Sequence, residues 1–308
     1  MKALVLAGGL SHERDVSLRS GRRVADALRS VGVTVEVQDA DASLLERLGP
    51  YDACLIALHG GAGEDGALRE VLDLAGLPYV GSTPDACRLA WDKPTAKALM
   101  RRAGLRTPEA VVLPHASFRE LGAAAVLERL VARLGLPLMV KPGRGGSALG
   151  ASVVETAEDL PAAMVGCFSY GEAALVERFV DGIEAAVTVI DTGNGPQALP
   201  VVEIRPLSGV YDYAARYTAG QTEFFAPARL TPAQADAVAA AAVAAHEVLG
   251  LRDLSRVDLI VTPDGPSVLE VNVAPGMTET SLLPMAVEAA GLSFGELLRD
   301  LLQQAVSR

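Results

Sequence analysis

The stretch SRVDLIVTPDGPSVLEVNVAPGMT, residues 255–278, contains two apolar segments on either side of Asp264-Gly265. Each segment predicts a strand, and an Asp-Gly pair between two strands is typical of a tight hairpin turn. Successive side chains of a strand point to opposite faces, so Glu270 and Asn272 share one face, and the hairpin can bring Asp258 opposite them. Three oxygen-bearing side chains that converge on a dry patch would be costly without a partner.

Two interpretations of this polar face remain open from the hairpin alone. Mg²⁺ accepts carboxylate and amide oxygens together with phosphate oxygens, so the three side chains could hold a metal ion. An antiparallel hairpin can equally turn one polar face toward solvent.

A glycine-rich segment, VKPGRGGSALG at residues 140–150, favours the first interpretation. Its glycines leave backbone N–H groups free to approach an anion, and Lys141 lies at the end of the apolar strand that precedes them. The segment is not a P-loop, since the G-x-x-x-x-G-K-[ST] pattern is absent. Lys93, in AWDKPTAK, is a second candidate phosphate ligand, although a lone helical lysine is more often solvated. Together these features predict a site for a nucleoside triphosphate with metal ions.

The rest of the chain alternates strands and helices, which predicts the α/β class. Strands over 2–7, 33–39, 53–58 and 77–82 with intervening helices describe a Rossmann-like parallel sheet, and we expect three domains, over 1–90, 91–178 and 179–308. The strands over 173–180 and 184–191 are separated by Asp181-Gly182, which predicts a second hairpin. A helix over about 232–249 has Thr231 as its predicted N-cap, and a last helix covers about 294–306.

Composition narrows the function classes. The 308 residues are 50% hydrophobic, and the net charge of −11 argues against a general nucleic-acid binder or a membrane-surface binder, which usually present a basic face. Cys54, Cys87 and Cys167 fit neither a disulfide framework nor a zinc motif, so we expect reduced thiols in a cytoplasmic protein. No segment reaches the ~20 apolar residues of a membrane span.

Charged side chains also occur near the predicted ligand edge of the first domain. Glu13, in GGLSHERDVSLRSG, lies where a helix begins, and an acidic residue stabilises a helix N-terminus in any case. Its alternative role is to bind the ammonium group of a ligand. The same two interpretations apply to His59 and Glu64 in LHGGAGEDGAL.

Taken together, the motifs resemble the D-alanine–D-alanine ligases of the ATP-grasp superfamily over essentially the whole chain. Seven segments follow the order and approximate spacing of that family: GGLSHERDVSLRSG, LHGGAGEDGALREVLDLAGLPYVGS, WDKPTAK, VKPGRGGSALGAS, YDYAARY, RVDLIV and LEVNVAPGMTETSLLPMA. The resemblance implies an ATP-grasp fold, in which the nucleotide lies between two α+β domains that follow the Rossmann-like one.

The resemblance also implies the nucleotide and metal ligands. Lys93 and Lys141 would bind the ATP phosphates, and the loop around Gly146 and Ser147 would close over them. The other implied nucleotide contacts are Glu177, the backbone near Arg178 and Val180, Glu184 for the ribose, and Arg216 for the transferred phosphate. Asp258, Glu270 and Asn272 would ligate two Mg²⁺ ions, with Mn²⁺ as an alternative.

The implied reaction joins two D-alanine molecules. The first carboxylate attacks the γ-phosphate of ATP to give an acyl phosphate and ADP, and the second amine then attacks the acyl carbon and expels phosphate. Glu13 would hold the first ammonium group, with Ser147 and Tyr217 in a hydrogen-bonded cluster around it. Arg256 and the N–H of Gly276 would stabilise the oxyanion. The implied substrate-binding set is Glu13, His59, Ser281 and Leu282.

Three departures from the family pattern keep alternatives open. Ala148 replaces a serine, Ala214 replaces a glutamate, and Arg216 replaces a lysine, which keeps the charge but changes the geometry. The leading prediction is a D-alanine–D-alanine ligase that supplies peptidoglycan precursors. We also expect a homodimer, because family members are usually homodimers. The alternatives are a related ligase that joins other amino acids and a non-catalytic nucleotide-binding regulator. Tyr217 favours an amine as the second nucleophile, since relatives that use D-lactate often carry Phe there.

Overall fold

The computed structural model describes residues 1–218 and 220–308, without the side chains of Ala214 and Tyr217. The described chain forms three sheets with helices packed around them. None of the helices in this described part combines the length and apolar character needed to cross a membrane.

The first sheet is parallel, with strand order β2-β1-β3-β4, which confirms the predicted alternation. Helix α1 packs close to β1 because Gly21 has no side chain there: an added Cβ would lie 2.4 Å from Cβ of Ala7. Its elements in chain order are β1 (Lys2–Leu6), α1 (Arg14–Ser30), β2 (Thr34–Gln38), α2 (Leu44–Arg47), β3 (Ala53–Ile56), α3 (Ala67–Leu74) and β4 (Tyr79–Val80).

The second sheet is antiparallel, with strand order β5-β8-β6-β7. Apolar side chains of its strands and of two helices form a separate core, which includes Leu134, Leu138 and Met164. The elements of this region are β5 (Ala110–Pro114), α6 (His115–Leu121), α7 (Ala123–Leu134), β6 (Leu138–Pro142), β7 (Ser152–Val154), α8 (Leu160–Phe168) and β8 (Ala173–Arg178). The two helices that precede them, α4 (Pro84–Trp91) and α5 (Lys93–Arg102), pack instead in the core of the third sheet.

The third sheet is antiparallel along β12-β11-β9-β13-β14, and a short strand, β10, also pairs with β9. As predicted, Thr231 caps the long helix, in a capping box with Gln234. The elements are β9 (Ile183–Ile190), β10 (Gln197–Ala198), β11 (Val202–Pro206), α9 (Tyr213–Tyr217), β12 (Thr222–Phe225), α10 (Pro232–Val248), β13 (Leu254–Thr262), β14 (Gly265–Asn272), α11 (Leu282–Ala289) and α12 (Phe294–Val306).

The hairpin predicted across Asp181-Gly182 is wrong. Strand β8 pairs with β5 and β6, whereas β9 pairs with β11 and β13, so the two strands belong to different sheets. The buried run 185–190 in β9 explains the difference, because a strand buried on both faces gains more from a central position than from one local partner. The Asp-Gly pair therefore connects two sheets.

The C-terminal helices join the first sheet to the third. One apolar core contains Val5 of β1, Ile204 of β11 and Leu301 of α12. A polar contact supports the same junction: the fully buried carboxylate of Asp253 accepts the N–H of Gly81 at 2.6 Å and pairs with Arg308 at 2.6 Å. The carboxyl ends of the parallel strands are thus held next to the β13–β14 hairpin.

Candidate active site

A cleft of about 580 Å³ lies between the second and third sheets. The linker 179–182 forms part of its wall, and charged side chains of several helices and strands line it. The predicted nucleotide and metal residues on its lining are Lys93, Lys141, Gly146, Glu177, Arg178, Val180, Glu184, Arg216, Asp258 and Glu270.

A smaller cavity of about 110 Å³ adjoins this cleft. Gly146, Tyr211, Arg216 and Glu270 line both, so the two spaces meet at these four residues. The predicted substrate, oxyanion and remaining metal residues line the smaller cavity: Glu13, His59, Ser147, Arg256, Asn272, Gly276, Ser281 and Leu282. Tyr217, also predicted here, has its side chain outside the described residues.

The β13–β14 hairpin brings the predicted metal ligands together. Asp258 pairs directly with Glu270 across the hairpin, and Arg256 pairs with Asn272, with a register irregularity just after Asp258. The Arg256 guanidinium holds both carboxylate oxygens of Asp258, with Nε and Nη2 each 2.7 Å away. This pairing raises the pKa of Arg256 against the opposing effect of burial, so the guanidinium stays charged.

Glu270 is ionised in spite of its burial. Burial acts to raise its pKa, but the charges of Lys93 and Lys141 outweigh burial and lower it to about 2. The Nζ atom of Lys93 lies 3.6 Å from Glu270. A charged carboxylate opposite a second one, with an amide oxygen two residues along the strand, is a donor set that fits a hard divalent cation. The residues present therefore fit Mg²⁺.

Lys141 belongs to a buried triad of ion-paired side chains. Its Nζ lies 2.8 Å from Glu177, whose other carboxylate oxygen is 2.7 Å from Nζ of Lys97 on α5. Lys97 and Glu177 are each 1% exposed. Burial lowers the pKa of Lys97 to about 8, whereas the two lysines keep the pKa of Glu177 below its usual range despite burial. Sequence reasoning missed Lys97, although its spacing of one helical turn from Lys93 was a usable signal.

The glycine-rich loop lies over the N-terminal helix of the first sheet. The Ser147 hydroxyl donates to the carboxylate of Glu13, and an added Cβ at Gly146 would lie 3.4 Å from that carboxylate. Lys93 ties the start of the loop through its backbone N–H, which donates to the carbonyl of Gly143 at 3.0 Å. The predicted partners Glu13 and Ser147 are therefore brought together across a separation of 134 residues.

The side chains of Glu184 and Arg216 both line the larger cleft. Burial raises the pKa of Glu184 to about 7. The Arg216 guanidinium lies 4.4 Å from the ring centroid of Tyr211, and its Nε donates to the Tyr211 carbonyl at 3.3 Å. Stacking on an aromatic ring is a contact that Arg makes more readily than Lys. Stacking on Tyr211 therefore offers a reason for an arginine at position 216. Sequence reasoning did not single out Tyr211.

The carboxyl group of Glu64 and the hydroxyl group of Ser281 also line the smaller cavity. Burial, with the nearby charge of Glu13, raises the pKa of Glu64 to about 7, and its carboxylate accepts the N–H of Gly60 at 2.8 Å. The Ser281 hydroxyl accepts the N–H of Thr278 at 2.9 Å, and an added Cβ at Gly276 would lie 2.7 Å from this hydroxyl. Leu282 is buried in the core shared by the first and third sheets.

Comparisons with known proteins give a consistent result. A family model described as the D-ala D-ala ligase C-terminus matches residues 99–303. A protein named D-alanine–D-alanine ligase from Anaeromyxobacter sp. (strain Fw109-5) is 43% identical over 99% of this chain and 96% of its own length. One of the same name from Pelotomaculum thermopropionicum is 39% identical over 99% of this chain and 97% of its own length.

Solved structures show the same likeness. The crystal structure of a D-alanine–D-alanine ligase from Bacillus anthracis complexed with ATP is 29% identical, with a TM-score of 0.83 over 100% of this chain and 97% of that one. A D-Ala:D-Ser ligase from Enterococcus faecalis is 28% identical, with a TM-score of 0.85 over 99% of both chains.

Proposed function

Because this chain belongs to the D-alanine–D-alanine ligase family and is therefore an ATP-dependent ligase, we propose that it joins two D-alanine molecules through an acyl phosphate. The dipeptide would supply peptidoglycan precursors, as the family implies. The observation that carries this proposal is the meeting of two cavities at Glu270 and Arg216: one is large enough for a nucleotide, and the other is lined by polar groups suited to small amino acids.

The larger cleft would hold ATP with its phosphates toward Glu270. Lys93 and Lys141 line that end and supply two positive charges, while Arg216 adds a third at the junction. Glu184 and the backbone at Arg178 and Val180 would contact the ribose and the base. Fixed cations placed where charge moves during phosphoryl transfer lower the barrier without having to reorganise.

Asp258, Glu270 and Asn272 would hold two Mg²⁺ ions, with Mn²⁺ as an alternative. Bound there, the metal would neutralise charge on the phosphates. The metal ligands would be preorganised, because Glu270 stays ionised and the pairing of β13 with β14 sets its position relative to Asp258.

The smaller cavity would orient the two amino acids. Glu13, fixed by the Ser147 hydroxyl, would bind the ammonium group of the first D-alanine. The carboxylate of that D-alanine would then face the junction of the two cavities. The second amino acid would lie near Ser281 and Leu282, with its amine toward the acyl carbon. Arg256 and the N–H of Gly276 would stabilise the oxyanion that forms there. Orientation of this kind accounts for much of the rate, since the side chains supply no nucleophile.

ADP release tests the proposal. Purified protein would be assayed with ATP and Mg²⁺ against D-alanine, L-alanine, D-serine and D-lactate. Turnover that requires D-alanine and yields D-alanyl-D-alanine supports it, and no turnover with any amino acid would leave only the nucleotide-binding regulator. A D-alanyl-D-serine product would favour the second candidate, a ligase with another second substrate, which the likeness to the D-Ala:D-Ser ligase supports.

Two finer statements belong to the same proposal. We place the enzyme in the cytoplasm, where ATP is available and where Cys54, Cys87 and Cys167, all buried and unpaired with one another, would stay reduced. We also expect a homodimer, as is usual in this family. Light scattering after size-exclusion chromatography measures the mass directly, and a mass near 31.9 kDa would show a monomer instead.

A further inference from the structure

We propose that Ser20 and His59 are positioning residues that fix segment 274–277 and so place the N–H of Gly276 for oxyanion binding. The inference rests on the proposed function, because Gly276 takes its role from it. It concerns two side chains of the N-terminal region that act on a loop following β14.

The contacts hold the segment on both sides of Gly276. The Ser20 hydroxyl oxygen accepts the backbone N–H of Met277 at 3.2 Å, just after Gly276. Nδ1 of His59 lies 3.1 Å from the carbonyl oxygen of Ala274, just before it. Ser20 and His59 are themselves joined, with Oγ 2.9 Å from Nε2. A closed chain of hydrogen bonds therefore spans the segment.

The hydrogen-bond partners determine which atom donates in each of these three bonds. A carbonyl oxygen can only accept, so Nδ1 of His59 carries the hydrogen and donates to Ala274. In a neutral ring Nε2 is then an acceptor, and it takes the hydrogen of the Ser20 hydroxyl, whose oxygen remains available to the N–H of Met277. Burial lowers the pKa of His59, which agrees with a neutral ring.

The arrangement leaves Gly276 as the open donor. In the part of the chain that the structure describes, Gly276 N–H meets no hydrogen-bond acceptor, and the residue lines the smaller cavity. Ala274, Met277, Ser20 and His59 are all buried, which limits the access of water to the groups they fix. The backbone can therefore direct this one N–H toward a ligand without a further rearrangement.

The geometry also explains why the fixing groups come from another part of the chain. Ser20 lies on α1, and His59 follows β3 at the carboxyl edge of the parallel sheet. The loop after β14 is short of partners within its own sheet, because it leaves the ladder at Asn272. Packing of the first sheet against the third thus supplies both hydrogen-bonding groups.

Ser20→Ala is the direct test, with Ser255→Ala as the matched control. Ser255 is a second fully buried serine that bonds a histidine, with Oγ 2.8 Å from Nδ1 of His246, and among the described residues its hydroxyl makes no hydrogen bond to segment 274–277. For each variant, kcat, the KM for ATP and inhibition by a dipeptide analogue with a tetrahedral phosphinate in place of the peptide carbonyl would be measured.

We expect Ser20→Ala to lower kcat roughly 10- to 100-fold, the size of effect that a small misplacement of a catalytic group produces. Affinity for the phosphinate should fall by a similar factor, because it mimics the tetrahedral state, while the KM for ATP stays within about twofold. His59→Asn retains an N–H donor for Ala274 and should lose less than His59→Ala. Wild-type kcat in Ser20→Ala, or an equal loss in Ser255→Ala, overturns the inference.

Hydrogen exchange separates this inference from the proposed function. The Met277 amide should exchange faster in Ser20→Ala than in the wild type or in Ser255→Ala, whether or not the protein turns over D-alanine. Unchanged exchange contradicts the positioning role. Should Ser20→Ala fail to fold, the two His59 variants carry the same comparison.

Discussion

Asp258 and Glu270 occupy directly paired positions on β13 and β14, so two carboxylates lie side by side on the wall of the larger cleft. Their electrostatic surroundings differ. Arg256 holds both oxygens of Asp258, whereas Glu270 has the Lys93 ammonium at 3.6 Å. Asp258 is thus fixed by the protein, and Glu270 is the carboxylate more available to a cation.

This difference predicts the effect of Glu270→Gln. The amide keeps the shape but removes the charge, so ADP formation should fall by roughly 100-fold or more. The fold should be retained, but the melting temperature should fall, because the charge that Lys93 and Lys141 stabilise is lost. Assays over a range of Mg²⁺ concentrations provide the measurement. Asp264→Asn, at the turn of the same hairpin, is the control and should behave as the wild type; near-normal turnover in Glu270→Gln would remove the metal assignment.

Lys97→Met should impair both stability and nucleotide binding. Loss of this partner leaves Glu177 buried with Lys141 alone, which should cost about 3 kcal/mol in the free energy of unfolding. The remaining pair is neutral, so Lys141 should attract phosphate less and the KM for ATP should rise. Urea unfolding and ATP kinetics measure the two effects.

Lys2→Met is the comparison for that variant, since Lys2 pairs with Glu36 at 3.0 Å on the surface. An exposed pair of this kind contributes less than ~1 kcal/mol. A Lys97→Met protein as stable as Lys2→Met, with an unchanged KM for ATP, would contradict the role of the triad.

Glu64→Gln should stabilise the protein at high pH only. Burial raises the folded-state pKa of Glu64 to about 7 from an ordinary 4.5, so the folded state binds a proton between these values that the unfolded state has lost. Stability from this group is therefore lost as pH rises from 4.5 to 7, and above 7 the penalty reaches at most about 3 kcal/mol. The amide oxygen of Gln can still accept the N–H of Gly60.

Thermal unfolding at pH 4.5 and at pH 8 without ligands measures this effect. The two proteins should melt together at the lower pH, and Glu64→Gln should melt higher at pH 8. Glu128→Gln, on the exposed face of α7, should show no such gain. A Glu64→Gln protein that is less stable at pH 8 would contradict the burial argument.

Asp253→Ala should weaken the junction between the first and third sheets. It leaves the N–H of Gly81 and the Arg308 guanidinium without their buried acceptor, and it places Ala at a φ of +66°, so we expect a loss of about 3 kcal/mol. Asn tolerates this φ and keeps an acceptor for Gly81, so Asp253→Asn should lose less. Urea unfolding compares the two variants, and equal losses would show that the acceptor for Gly81 and the positive φ contribute little.

The sequence by itself determined the local elements and the family. The helices over about 232–249 and 294–306 and the β13–β14 hairpin follow from periodicity and turn residues, which act between neighbours in the chain. The pairing of Glu270 with Asp258 does not follow from the turn alone. The register that runs from Thr262–Gly265 to Leu259–Val268 would place Asp258 opposite Leu269, and the irregularity after Asp258 shifts it by one residue to Glu270.

Only the tertiary structure decided which distant groups meet. The separation of β8 from β9 into two sheets, the burial of Lys97 beneath Lys141 and the bond from Ser20 to Met277 each join residues whose sequence context gives no sign of the partner. The physical reason is that burial and long-range pairing depend on how whole layers pack. A side chain's charge or hydrogen bond is then fixed by whatever the packing brings beside it.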